Sequence, residues 1–305
     1  MLTRGIDEYL ATREALGFKF DGSAAVLRDF ERFAIKQGDT HVRWKTAVRW
    51  AQQAKSADGH QRRLGHVRRL ASFLRADDPK HELIPARLFK PRTCRPLPYI
   101  FTESEVATLM GFASRVGGAG SFRALTFSTY FGLVAATGLR AREALRLRIQ
   151  DVRKDGIVIE NTKFRKSRFV PVHPTTARAL EQYLRKREGL TSRSDSFFLT
   201  QRTGRAPTYA TVWWTFRQIC IRAGIGDRSP SGRPPRIHDL RHTFAVRSLE
   251  KCPRGRQATE RHAAALATYL GHANPRHTFH YLHSSPELLR DVARACEQGR
   301  ERGFR

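Results

Sequence analysis

Three things are scarce in this chain of 305 residues, and each scarcity excludes something. Its four cysteines, Cys94, Cys220, Cys252 and Cys296, form no C-x-x-C pair, which argues against a disulfide framework or a cysteine-ligated metal and fits a reducing compartment. No uncharged stretch reaches roughly 18 residues, the longest running from Ala124 to Leu139, so no membrane-spanning helix is expected. The opening MLTRGIDEYLATREALGF carries charges throughout and lacks the apolar centre of a signal peptide, so a cytoplasmic protein is expected. Acidic side chains are the third shortage: 28 Asp and Glu face 56 Lys and Arg, a formal net charge of +28. Such a surface repels itself unless it meets a polyanion, which points to nucleic acid as partner. Charge alone fits ribosomal and chromatin proteins equally well.

What is present is enough to fold. Hydrophobic residues make up 40% of the chain, sufficient for ordinary cores, and the length suits two domains. Apolar spacing predicts helices over 3–17, 23–37 and 44–54. A fourth, over 60–76, buries Leu64, Val67, Ala71 and Leu74. Its outer face carries Arg62, Arg63, His66, Arg68, Arg69 and Arg75. A charged helix face has a plain reading as solvated surface; six basic groups on one helix of so cationic a chain point to phosphate contact. Three prolines and three basic residues in LFKPRTCRPLPY read as an extended linker.

Beyond it, TESE (Thr102–Glu105) is a capping box that starts a helix. The glycine-rich VGGAG lacks the following Lys-Ser/Thr of a phosphate-binding loop. A buried helix is expected over 122–137, stopped by Gly138, with a second starting at Arg140. Glu143, one turn on, can orient the Arg140 guanidinium or form a local ion pair. IVIE and RFVPV within 157–172 read as a β-hairpin whose tip gathers Lys163, Arg165, Lys166 and Arg168, any of which can touch phosphate. Helices are expected over 174–187 and 208–223, with Trp213 and Trp214 packed in the core. Mainly helical with a small hairpin is the fold class these patterns give.

The last third holds the chemistry. RIHDLRHTF places His238 and Arg241 three apart, on one face of a helix, where both can address one anion. YLGH supplies His272, and HYLH supplies Tyr281 nine residues later. A phenol becomes a nucleophile only beside cations and a proton acceptor, and the target suited to such a cluster is a phosphodiester. His242 forms a His-x-x-x-His pair with His238, but no cysteine or carboxylate in the zincin pattern accompanies it, so no metal is expected.

Arg140, Lys163, His238, Arg241, His272 and Tyr281, in that order, resemble the signature of the tyrosine recombinase (phage integrase) family. One such motif is weak; six in order are specific. The resemblance covers about 100–285 closely and the N-terminal part more loosely. It implies a helical, SAM-like core-binding domain over 1–88, a linker over 89–99, an α+β catalytic domain over 100–296 and a flexible tail over 297–305. It implies further that Lys163, with Lys166 as second choice, is the general acid on the hairpin. Arg62, Arg63, Arg68, Arg69, Arg165, Lys166 and Arg168 are the candidate DNA contacts. The implied reaction is cleavage and rejoining of double-stranded DNA at a recombination site without cofactor, ATP or metal. A homotetramer tied by exchange of a helix starting at Ser285 and Pro286 is implied too, with accessory recombinases or DNA-bending proteins as further partners. The segment 249–266 is longer than the usual family connection. Two alternatives stand beside this reading: a type IB topoisomerase, which shares the chemistry, and a non-catalytic DNA-binding accessory protein.

Overall fold

A computed structural model describes residues 1–18, 22–86, 88, 97–160, 167–190, 192, 194–226, 232–252 and 256–271. The chain divides into two compact units, Met1–Arg95 and Pro96–Arg305, the division falling inside the proline-bearing stretch. The expected tail over 297–305 and the helix from Ser285 lie outside the described residues.

The first unit is built from α1 (Leu2–Ala15), α2 (Ser23–Lys36), α3 (Trp44–Gln52) and α4 (Ala57–Leu74). Its core is the apolar stripe of each helix turned inward: Ile6, Leu27, Phe30, Trp50, Leu64, Val67 and Leu70 are all buried. Helix α4 begins three residues earlier than the apolar spacing predicts, because the Ser56 hydroxyl accepts from the Gly59 amide and caps it there.

Its basic face separates into two kinds of arginine. Arg62 and Arg69 are exposed. Arg63 instead lies over the Trp50 ring at 4.9 Å and donates to the Trp50 carbonyl at 3.0 Å. Arg68 donates to the carbonyls of Ile84 (3.1 Å) and Pro85 (2.7 Å). Both stand among the candidate DNA contacts named from sequence, and both also tie their own unit together.

In the second unit the organising element is α6 (Phe122–Thr137), preceded by α5 (Glu103–Ala113). Ser121 caps its start, and Gly138, at φ 62°, ends it in the left-handed conformation that glycine adopts without penalty. Phe127, Tyr130, Phe131, Leu133 and Val134 are buried on it. Each such side chain contributes about 1.5–3 kcal/mol, enough to draw α5, α8 (Pro174–Glu188) and α10 (Ile237–Glu250) around it.

A five-residue α7 (Ala141–Leu145) follows Gly138, tied back by the Tyr130 hydroxyl donating to the Ala141 carbonyl at 2.8 Å. The hairpin is present as β1 (Gly156–Ile159) and β2 (Arg168–Pro171), antiparallel, with Ile159 opposite Arg168. Helix α9 (Tyr209–Arg222) and helix α11 (Arg256–Leu270) complete the described elements. The long 249–266 segment is therefore mostly helix: α10 runs on to Glu250 and α11 takes over at Arg256.

Trp213 and Trp214 depart from expectation. They are 45% and 54% exposed, on a face of α9 shared with Tyr209 and Ile221, while Val212, Phe216, Ile219 and Cys220 fill the core from the opposite side. Size favoured burial; the helix phase set by the smaller residues decided otherwise. None of the described helices is long and apolar enough to cross a membrane.

Candidate active site

Three arginines from three separate elements converge on the C-terminal end of α11. Arg168 donates through Nε to the Tyr269 carbonyl at 2.9 Å. Arg241 donates through Nη2 to the Leu270 carbonyl at 2.8 Å. Arg140 donates through Nη2 to the Gly271 carbonyl at 3.0 Å. The last carbonyls of a helix have no partner within it and carry the negative end of its dipole, so guanidinium groups are their natural caps. Residue 272 follows immediately.

Each arginine has a second anchor. Arg241 is 1% exposed and also donates to the Gly138 carbonyl at 2.8 Å, so it bridges the turn after α6 and the end of α11. Arg140 pairs with Glu143 at 2.7 Å, and its backbone amide donates to the other carboxylate oxygen at 3.1 Å. That second contact caps α7, with Arg140 as its N-cap residue. Arg168 reaches the same carboxylate, Nη2 to Oε2 at 2.8 Å. Burial pushes the Glu143 pKa up, but the Arg168 hydrogen bond and charge, then Arg140, outweigh it and leave the carboxyl below its usual range. It is ionised at neutral pH.

Arg168 is thus not a hairpin-tip cation. Its side chain is 10% exposed and its guanidinium faces the protein interior. The signal was available in the alternation of the strand: Arg168 and the fully buried Val170 are two apart and share a face.

His238 lies in the first turn of α10, one turn before Arg241, with its ring edge-to-face against His242 at 4.6 Å. The residue is exposed, with protein packed around the ring. That crowding, then the nearby His242 and Arg241, lowers its pKa from the ordinary 6.5, so the imidazole is neutral at pH 7 and able to accept a proton. Asp239, fully buried next to it, accepts from the Arg236 amide at 2.8 Å and fixes where the helix begins. From the same helix the Thr243 hydroxyl accepts the Phe101 amide at 2.9 Å.

Of the six residues named from sequence, the structure brings Arg140 and Arg241 to the end of α11, with Glu143 beside Arg140, and places His238 on α10 one turn before Arg241. Lys163, His272 and Tyr281 lie outside the described residues, as do the candidate DNA contacts Arg165 and Lys166. The carbonyl end of α11 had no sequence signal, since every residue type carries a carbonyl.

Among the described residues, one group has the composition of a metal site: His41, Asp78 and His81, in the first unit. The Val42 amide donates to His81 Nδ1 at 3.0 Å, so the ring proton sits on Nε2 and that nitrogen has no lone pair to offer. His41 Nε2 lies 3.0 Å from the Asp78 carboxylate. This is a hydrogen-bonded clasp between two loops.

The family model for the phage integrase family matches residues 100–287, a span that contains all six positions. The chain belongs to that family. It is a tyrosine-type site-specific recombinase, an enzyme class that cleaves and rejoins DNA strands. Among its relatives, "Putative integrase/recombinase y4rE" of Sinorhizobium fredii is 34% identical over 290 residues, covering 93% of this chain and 92% of that one. Tyrosine recombinase XerC of Staphylococcus haemolyticus is 28% identical over 209 residues, covering 68% of this recombinase and 64% of XerC. In fold, the Tn1549 transposon integrase in complex with circular intermediate DNA superposes with a TM-score of 0.68 at 16% identity, covering 96% of this chain and 98% of that one. XerH recombinase bound to its palindromic difH substrate gives 0.66 at 20% identity, covering 90% and 78%.

Proposed function

We propose that this recombinase cuts one strand of a duplex recombination site through a 3′-phosphotyrosyl intermediate and joins it to a new partner, serving integration, excision or transposition of a mobile element. The observation that carries the reading is the pair of guanidinium groups, Arg140 and Arg241, held on adjacent carbonyls directly before residue 272. Two forks fixed side by side suit the non-bridging oxygens of one phosphodiester and the charge that grows on them in the transition state.

Tyr281 is the nucleophile. Near its ordinary pKa of about 10, roughly one phenol in a thousand is ionised at neutral pH, so a proton acceptor is needed. Neutral His238 takes the phenolic proton as the tyrosyl oxygen bonds to phosphorus. The bond from phosphorus to the 5′ oxygen breaks, and Lys163 supplies the proton to that oxygen. His272 hydrogen-bonds a phosphate oxygen. The phosphotyrosyl ester conserves the energy of the broken bond, so a 5′-hydroxyl from another strand reverses the step without ATP or metal.

The first unit is the core-binding domain, its exposed Arg62 and Arg69 on DNA phosphates. A cytoplasmic homotetramer on DNA, tied by exchanged C-terminal helices and aided by accessory recombinases or DNA-bending proteins, completes the reading. The transposon integrase among the structural neighbours, whose structure holds circular intermediate DNA, supports the mobile-element assignment.

Covalent capture tests it. The protein is incubated with a random-sequence duplex library carrying nicks that trap cleaved ends, and denaturant-resistant complexes are sequenced. Capture of a common core by the wild type and none by Tyr281→Phe is expected. Equal capture by Tyr281→Phe ends the proposal. Relaxation of supercoiled DNA lacking that core, at the rate seen with it, favours the topoisomerase reading instead.

A further inference from the structure

We propose that Arg168 is a positioning residue of this active site: through Glu143 it fixes the Arg140 guanidinium, and through the Tyr269 carbonyl it fixes the turn that leads to residue 272. The inference rests on the reading above that Arg140 binds the scissile phosphate.

Arg168 donates to three oxygens on two elements. Its Nη2 and Nη1 lie 2.8 and 3.4 Å from the two oxygens of Glu143, and its Nε lies 2.9 Å from the Tyr269 carbonyl. The first contact fills the side of the carboxylate that Arg140 leaves open. Arg140 binds Oε1 through its side chain and Oε2 through its amide, so the carboxylate is held from both ends and cannot rotate to follow either guanidinium.

Charge makes the same point. Arg140, Glu143 and Arg168 together carry one net positive charge, which adds to that of Arg241 before an incoming phosphate. Without Arg168 the remaining Arg140–Glu143 pair is neutral, and a carboxylate only 12% exposed draws all its compensation from Arg140. The guanidinium that should turn to the phosphate is then held back by its own neighbour.

Gly271 shows how tightly this group is packed. Its φ is 68°, and a Cβ built there lies 2.7 Å from Arg168 Nη1 and 3.0 Å from its Cζ. The glycine of YLGH is therefore required by the guanidinium lying over it as well as by its own backbone. Strand β2, which Arg168 opens, begins five residues after Lys163, so the same side chain ties the strand that follows the general acid to the carboxylate beside Arg140.

The test compares wild type, Arg168→Met, Glu143→Gln and the double variant in single-turnover cleavage of the captured duplex, with DNA affinity measured separately. Misplacement of a catalytic group by about 1 Å costs on the order of a hundredfold. Arg168→Met is therefore expected to slow cleavage by roughly 10- to 100-fold, leaving affinity nearly unchanged, and the double variant is expected to be no slower than the worse single one. Slowing below about twofold, or losses that multiply in the double variant, overturns the proposal. Where Arg168→Met does not fold, Arg168→Lys, which keeps the charge but not the fork, carries the same measurement with the same criteria. A wild type that cleaves no duplex refutes the recombinase mechanism instead. The positioning claim is then judged from hydrogen exchange at the Arg140 guanidinium by NMR: faster in the Arg168 variant upholds it, unchanged overturns it.

Discussion

Gly138→Ala is the perturbation whose cost can be worked most directly from the geometry. Gly138 sits at φ 62°, where an alanine pays about 1–2 kcal/mol for the left-handed conformation. A Cβ there also lies 2.6 Å from Phe244 Cδ1 and 3.1 Å from Leu270 Cδ2, so the Phe244 ring and the Leu270 side chain must give way. Overpacking of that kind costs a further 1–3 kcal/mol or about that. Gly120, in the same unit, separates the two contributions: its φ is 75°, yet nothing lies within 4 Å of its added Cβ. Gly120→Ala should show the backbone cost alone. For a unit of this size about 1 kcal/mol moves the melting temperature by roughly 2–4 °C, so Gly138→Ala should melt some 2–12 °C below Gly120→Ala in calorimetry. Because the Gly138 carbonyl also accepts from Arg241 at 2.8 Å, cleavage by the alanine variant should fall even at temperatures where it is fully folded. Equal melting temperatures for the two alanine variants would refute the packing argument.

Two further outcomes belong to the first unit. The His81 pKa is lowered, by burial first and then by His41, while its Nδ1 accepts from the Val42 amide. A base depressed in the fold favours its neutral form, so stability is full above the unfolded value near 6.5 and falls as pH drops below it toward the folded pKa. Fluorescence of Trp44 and Trp50, both in the first unit, in a background with Trp213 and Trp214 replaced by phenylalanine, should show this loss between pH 7 and 5, and His81→Gln should flatten it; an unchanged slope sinks the assignment. Arg68→Ala should destabilise this unit by about 1–3 kcal/mol in urea, since two carbonyls lose their donor. Arg62→Ala should stay within about 0.5 kcal/mol and instead lower the salt slope of DNA binding by roughly 1. The reverse pattern would show that solvent exposure is a poor guide to which arginines meet DNA.

Local rules carried the sequence reading a long way. Thr102 and Glu105 form the expected capping box, each side chain accepting the other's backbone amide. Helix α6 spans Phe122–Thr137 and stops at Gly138, as the run of apolar residues and the glycine predict. These succeed because the determinants lie within a turn of what they determine. Arg168 and the two tryptophans failed for the opposite reason. Whether a guanidinium points to water or inward depends on Glu143, 25 residues away, and on a carbonyl 101 residues away. Whether Trp213 is buried depends on which face of α9 meets α5 and α7, a choice made by Val212, Phe216 and Ile219. The arginines of the α4 face could not be sorted either, because Arg63 and Arg62 are the same residue type until the Trp50 carbonyl is in place.

The arrangement at the end of α11 answers a difficulty that any phosphate-cutting site of this kind faces. Several cations must stand close together before the anion arrives, repelling one another, and at least one of them is almost wholly out of water. A buried charge without compensation costs several kcal/mol, and compensating it with carboxylates alone would cancel the field the phosphate is meant to feel. Helix-end carbonyls resolve this: they accept the hydrogen bonds and supply only the partial negative charge of the dipole, about half an elementary charge shared over the terminus. One carboxylate, Glu143, then suffices for Arg140 and Arg168 together, and Arg241, 1% exposed, is held by carbonyls of Gly138 and Leu270. Because those two carbonyls belong to segments 132 residues apart in sequence, Arg241 is correctly placed only when the turn after α6 and the end of α11 are both in position. The proposed catalytic geometry is in this way a consequence of the completed fold of the second unit, and a partly folded chain does not present it.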